Sequence, residues 1–117
     1  MSSKSDFIPH VVRLLIEAAG ENVALTIVQQ LGGSRLRIPK RAEGTRLEKL
    51  VGTDAARALV DSLADERLEI PLANRFVNAR LQDRGMSQEA RAATLRVSRA
   101  SIQSWDAERR SAAEQSV

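Results

Sequence analysis

The stretch GENVALTIVQQLGGSRLRIP, residues 20–39, returns 32 residues later as GTDAARALVDSLADERLEIP, residues 52–71. The two align without a gap and agree at eight of twenty positions: Gly20/Gly52, Ala24/Ala56, Val28/Val60, Leu31/Leu63, Arg35/Arg67, Leu36/Leu68, Ile38/Ile70 and Pro39/Pro71. In each copy the apolar residues first follow helical spacing: Ala24, Ile27, Val28 and Leu31, then Ala56, Leu59, Val60 and Leu63. The period then changes to two. Leu36 and Ile38 alternate with Arg35 and Arg37, Leu68 and Ile70 with Arg67 and Glu69, and a proline closes each run. Each copy reads as a helix followed by a short strand. A lone short strand leaves its backbone groups unpaired, so the two are expected to pair as an antiparallel ribbon. Leu36, Ile38, Leu68 and Ile70 would face the helices, with Arg35, Arg37, Arg67 and Glu69 outward. Pairing within one chain and pairing between chains both remain open from sequence.

The repeat is preceded by a first amphipathic helix, with Ile8, Val11, Val12, Leu15, Ile16 and Ala19 on one stripe. Pro9 suits its first turn and Gly20 its stop, and Asn22 is expected to cap the next helix. Thr45 with Glu48 has the form of a capping box and starts a short helix carrying Leu47, Leu50 and Val51. Gly52 stops it, and Asp54 is expected to cap the helix of the second copy.

The chain has 117 residues, 43% of them apolar, with Phe7, Phe76 and Trp105 as its only aromatics, so its core is aliphatic. It has no cysteine and one histidine, His10, which leaves no Cys-ligated zinc, no His cluster and no free choice of triad. Carboxylates such as Asp65 and Glu66 fall in a turn with no apolar pocket to tune them. The reading is therefore a non-enzyme without cofactor, metal or small-molecule substrate. The start, MSSKSDFIPH, lacks a signal peptide's apolar region, and no apolar run reaches the ~20 residues of a membrane span. A cytoplasmic protein with no membrane partner is expected.

Charge is distributed unevenly. Residues 1–72 carry ten Lys/Arg and ten Asp/Glu, whereas residues 73–105 carry six Arg against Asp83 and Glu89. A basic segment attached to a neutral one points to double-stranded DNA as a partner, although an Arg-rich solvated helix surface has the same composition. Phe76, Val77 and Leu81 mark a helix that Gly85 ends, Ser87 caps a helix of about two turns, and Ser98 caps another carrying Ile102 and Trp105. This is helix-turn-helix spacing. Ala92 is the small residue where the second helix crosses, Leu95 and Val97 flank the turn, and Ile102 closes the core. Base reading falls to Ser98, Arg99, Ala100, Ser101, Gln103 and Ser104. Arg99 suits guanine, Gln103 adenine, and Ala100 a thymine methyl. Ser87, Arg91, Arg96, Arg109 and Arg110 are placed for phosphates. Two residues depart from the pattern: Arg91 stands where an apolar residue is common, and Arg96 where a positive-φ turn favours glycine. Trp105 reads as core rather than as a base-stacking platform. Gly32 and Gly33 read as a helix stop, since no Gly-Lys-Ser/Thr follows and a helix precedes them.

With repeat and helix-turn-helix both in view, the chain resembles the Mor family of transcription activators, the middle-operon regulators of Mu-like phages. LGGSRLRIPK (31–40), LADERLEIP (63–71) and GMSQEARAATLRVSRASIQ (85–103) carry the resemblance, which covers residues 11–110. It implies a phage or prophage activator that works in the cytoplasm of a bacterial host cell, binds DNA as a homodimer and acts with host RNA polymerase. It also implies a minor-groove contact at Gly32, Gly33, Arg35 and Arg37. In the second copy Ala64 and Asp65 replace the glycines, and Glu69 adds an acid beside any phosphate. The expected fold is mainly α: a helical N-terminal region whose duplicated helix–strand units form a short two-stranded antiparallel ribbon, then a C-terminal helix-turn-helix. The expected domains are 1–72 for dimerisation, 73–110 for DNA and 111–117 as a flexible tail. The competing reading is a phage-type protein-interaction module, an inhibitor or adaptor on the same scaffold with weak or no DNA binding.

Overall fold

The computed structural model describes residues 8–115. Among them lie seven helices and one two-stranded antiparallel sheet. The chain divides into two compact units, one spanning Pro9–Leu72 and the other running from Ala73 onward, with Ile8 grouped with the second.

The first unit runs α1 (His10–Ala19), α2 (Glu21–Leu31), β1 (Arg35–Arg37), α3 (Arg46–Val51), α4 (Thr53–Leu63) and β2 (Arg67–Glu69). The strands pair within the chain, Arg35 opposite Glu69, Leu36 opposite Leu68 and Arg37 opposite Arg67. Leu36 therefore faces its own counterpart, and a pseudo-two-fold axis passes between the two. The flanking hydrogen bonds obey it. Gly33 N–H donates to the Ile70 carbonyl at 2.7 Å, and Asp65 N–H to the Ile38 carbonyl at 2.9 Å. Ile70 N–H donates to Ser34 at 2.8 Å, and Ile38 N–H to Glu66 at 2.9 Å. The repeat is larger than the sequence alignment suggests, because α1 and α3 also correspond: Leu15 and Leu47, both buried, are 32 apart. The unit is thus a doubled helix–helix–strand motif. Its core holds Val12, Leu15, Leu25, Ile27, Ile38, Leu59 and Ile70.

Gly20 and Gly52 explain where the helices break. Each has φ near +90° (94° and 93°), a region costly for side-chain-bearing residues, and each ends one helix while opening the next. No residue intervenes to act as a side-chain cap. Asn22 and Asp54 consequently lie inside the first turns of α2 and α4 rather than capping them, which corrects the sequence expectation. Thr45 does cap α3, accepting from Glu48 N–H at 3.2 Å. Glu48 reaches back to Gly44 N–H at 3.0 Å, one residue before the position of a standard capping box.

The second unit contains α5 (Asn74–Asp83), α6 (Gln88–Leu95) and α7 (Arg99–Gln115). Phe76, Val77, Ala79, Leu81, Ala92 and Ile102 form its core. Helix α7 continues to Gln115, so 111–115 is helical where a flexible tail was expected. Ala112, Ala113, Glu114 and Gln115 are all strong helix formers that propagate the turn. The last two residues of that expected tail lie outside the described residues.

Candidate nucleic-acid interface

Ser87 starts α6 by accepting the Ala90 N–H at 3.1 Å. The helix ends at Arg96, in left-handed conformation (φ 57°, ψ 44°), at the position where the sequence pattern favours glycine. Val97 N–H returns to the Ala92 carbonyl at 3.1 Å, and Ser98 opens α7 by accepting the Ser101 N–H at 3.1 Å. The turn between α6 and α7 is thus three residues long, 96–98. Ala92 is buried beside it, and Ile102 is wholly buried on α7.

The opposite face of α7's first turns points to solvent. Ser98, Arg99, Ala100, Gln103 and Ser104 are exposed and Ser101 is half-buried, with its hydroxyl 3.1 Å from that of Ser98. Arg96 and Arg110 are exposed as well. Among the described residues, Arg96, Arg99 and Arg110 have no carboxylate partner. These are the cations of the second unit with uncompensated charge.

Two proposed phosphate ligands are placed elsewhere. Arg91 is buried, with its guanidinium donating to both Asp106 carboxylate oxygens (2.8 and 3.1 Å), to Asn78 Oδ1 (2.8 Å) and to the Met86 carbonyl (3.0 Å). Asn78 and Gln88 add further donors to Asp106, at 3.0 and 3.1 Å. Burial alone would raise the Asp106 pKa, but hydrogen bonds from Arg91, Asn78 and Gln88, with the Arg91 charge, outweigh it and hold the carboxyl below its ordinary range. Arg91 therefore joins α5, α6 and α7 from within and is removed from the phosphate set. Arg109 is half-buried and grips the end of α5, reaching Asp83 through both terminal nitrogens (2.9 and 3.1 Å) and Gln82 at 2.9 Å. The Asp83 pKa is lowered, first by the hydrogen bond from Arg109 and then, against desolvation, by the charges of Arg109 and Arg80. Arg109 is likewise committed inside its unit. Trp105 is half-buried with the Arg75 guanidinium 5.8 Å from its ring centroid.

The Arg91–Asp106 pair is the feature sequence reading missed. A signal was present: Asp106 stands four residues after the core residue Ile102, on the same helical stripe, and Arg109 follows three residues later.

On the first unit, the residues implied for the minor groove already have local roles. Gly32 allows the Pro71 backbone to approach. A Cβ there would lie 2.6 Å from the Val28 carbonyl oxygen and 3.2 Å from that of Pro71. Gly33 adopts φ 85°. Arg37 is bonded to Asp65 at 2.6 Å, and Arg35 lies 3.9 Å from Glu69. The Asp65 pKa is lowered, chiefly by the hydrogen bond and charge of Arg37. All four ribbon side chains are exposed, but the arginines are accompanied by acids.

No helix among the described residues is long and apolar enough to cross a membrane. No protein-family model, curated protein or solved structure matches the chain.

Proposed function

We propose that the protein is a sequence-specific DNA-binding transcription regulator, with α6 and α7 as its helix-turn-helix and the start of α7 as the element that enters the major groove. One observation carries this reading: α7 buries Ile102 and Asp106 on one side and presents Ser98, Arg99, Ala100, Gln103 and Ser104 on the other. Any amphipathic helix leaves a polar face to solvent, but here that face starts at Arg96 and Arg99, which have no carboxylate partner among the described residues, and Arg99 and Gln103 can pair bidentately with guanine and adenine. Arg96 and Arg110, with the Ser87 hydroxyl as a weaker donor, supply the phosphate contacts. The resemblance to Mor-type phage activators supports activation with host RNA polymerase. So short a reading element covers few base pairs, which favours two copies on half-sites about one helical turn apart.

Selection of bound sites from a random duplex pool tests the proposal, followed by titration of the selected site against salt. The parent protein is expected to select a two-part site, with affinity falling linearly in log–log salt plots. Arg99→Ala is expected to relax base choice at one position of each half-site, by about 1–3 kcal/mol of discrimination. Equal selectivity in that variant removes α7 as the reading helix, and no retention of duplex at low salt removes DNA binding altogether.

A further inference from the structure

The pseudo-two-fold symmetry of the first unit is broken at α3, and a groove lies beside the break. Helix α1 has ten residues, whereas its counterpart α3 has six. The repeat offset maps α1 onto residues 42–51, so the missing part is α3's first turn. Val12, wholly buried in α1, has Gly44 as its counterpart, and a Cβ placed on Gly44 would meet nothing within 4 Å. Next to this segment runs a groove of about 440 Å³, with Thr45 and Arg46 on its wall and Leu31, Leu36, Pro39, Leu47 and Leu50 as its floor. A shallower extension of about 300 Å³ continues along Leu31 and Leu50 past Arg46 and Lys49. Across both segments the charged lining residues are basic, with no carboxylate among them. Arg35 and Arg37 face acids on β2, but Arg46 and Lys49 are exposed and have no ion-pair partner among the described residues.

We propose that this groove is a docking site for an amphipathic helix of a partner protein, aliphatic on one face and acidic along its flank. The fold itself indicates the shape of the occupant. The groove and its extension run on together along α3, past Leu47 and Leu50 on the floor and Arg46 and Lys49 on the rim, an elongated apolar trough that suits a helix with an acidic flank. Burying leucine-type side chains against Leu31, Leu36, Leu47 and Leu50 supplies the hydrophobic contact, in the helix-in-groove mode. Carboxylates on the flank would meet Arg46 and Lys49, which fixes direction and excludes basic helices. Duplex DNA also seeks basic rims, but it has no use for an aliphatic floor, so the apolar floor favours protein. The site is independent of the DNA-reading face, and it stands or falls separately from the function proposed above.

The test uses the full chain with methyl-labelled leucine and a matched set of fluorescent amphipathic peptides of about fourteen residues, ~20 Å as helix. All share leucines at positions a helix turn apart, and their flanks carry Glu, Gln or Lys. The Glu peptide is expected to bind best and to shift the methyl signals of Leu31, Leu36, Leu47 and Leu50. The double variant Arg46→Glu, Lys49→Glu, whose changes lie on exposed side chains, is expected to weaken it roughly tenfold while leaving duplex binding unchanged. The proposal is overturned if the Lys peptide binds as well as the Glu peptide. Failure of every peptide to move those methyls would overturn it too. It also fails if duplex DNA moves them and peptide does not, which would make the groove a nucleic-acid edge. Sedimentation of the unliganded protein gives the last arm: self-association abolished by the same double variant would assign the groove to a second copy of the chain.

Discussion

Replacing Arg91 with Met separates a structural arginine from a DNA-binding one. The substitution keeps a long apolar stem and removes a guanidinium that makes four hydrogen bonds, two of them to Asp106. Charge-assisted bonds contribute up to ~3 kcal/mol each, but much of that is offset by the cost of drying the guanidinium. What remains after the change is a buried carboxylate with only Asn78 and Gln88 as donors. Orphaning one partner of a buried pair costs about 3–5 kcal/mol. Set against a total of about 6–18 kcal/mol, from ~0.05–0.15 kcal/mol per residue over 117 residues, this is enough to melt a small unit. Trp105, the only tryptophan, sits on α7 and reports that unit alone, so urea unfolding followed by its fluorescence is the assay. The loss carries a pH signature. With Arg91 present the Asp106 pKa is depressed, so its stabilisation is complete above the unfolded carboxyl pKa and disappears as pH falls through the folded one. Without Arg91, burial raises that pKa and the variant is relieved by protonation. The gap between parent and variant should therefore be large at pH 7 and narrow towards pH 4. A loss below about 1 kcal/mol, or a gap that does not vary with pH, refutes the assignment of Arg91 to an internal clamp.

Arg96→Gly should stabilise the second unit by about 0.5–1 kcal/mol in the same urea assay, because glycine adopts the left-handed conformation without the Cβ clash that Arg96 bears; destabilisation would show that the arginine side chain outweighs its backbone cost. The melting temperature of the parent, followed at Trp105, should be level from pH 8 to 5 and fall below about pH 4, since Asp106 and Asp83 both have depressed pKa values. A level profile to pH 2.5 would contradict both shifts. Thr45→Ala should cost about 1 kcal/mol of the first unit's stability, read by circular dichroism, through loss of the cap on Glu48 N–H; no change would mean that Glu48 alone holds α3.

The parts of the fold written as periodicity were legible in the sequence. Helices α2 and α4 and the strands follow from spacing, and the 32-residue repeat led to the expectation of an antiparallel ribbon, although neither its pairing within the chain nor the register that sets Leu36 opposite Leu68 was readable from it. The left-handed turn at Arg96 was legible because the turn expected between the two helices favours glycine. Contacts between charged groups distant in sequence were not legible. Arg91 and Asp106 are 15 residues apart, and Asn78 a further 13 before Arg91. Arg91 stands where an apolar residue is common and Asp106 follows Ile102 on the core stripe, but neither position alone says that the two side chains meet. The groove escaped notice for a related reason. It is lined by residues of α2, β1 and α3 that are far apart in sequence, Leu31, Leu36, Leu47 and Leu50, and the identities that define the repeat, 20–39 and 52–71, do not reach α3.

The acids of the second copy, which looked like damage to a DNA-binding strand, have a different explanation in the ribbon. If two strands with the first copy's sequence paired in this register, Arg35 would face Arg37 twice, and like charges placed directly opposite destabilise a pair. In the chain as it stands, Glu69 occupies the position equivalent to Arg37 and faces Arg35. Asp65, at the position equivalent to Gly33, reaches across to Arg37 at 2.6 Å. Its short side chain is also among the few that tolerate the φ of 66° this corner demands. The two replacements thus make each copy a better partner for the other than for itself, which favours the pairing within one chain. They also cancel charge, since Arg35, Arg37 and Arg67 are balanced by Asp65, Glu66 and Glu69 on the same short ribbon. Attraction for phosphate is therefore weak at the ribbon. Among the described residues, cations without an acid beside them lie elsewhere, at Arg46 and Lys49 in the first unit and at Arg96, Arg99 and Arg110 in the second.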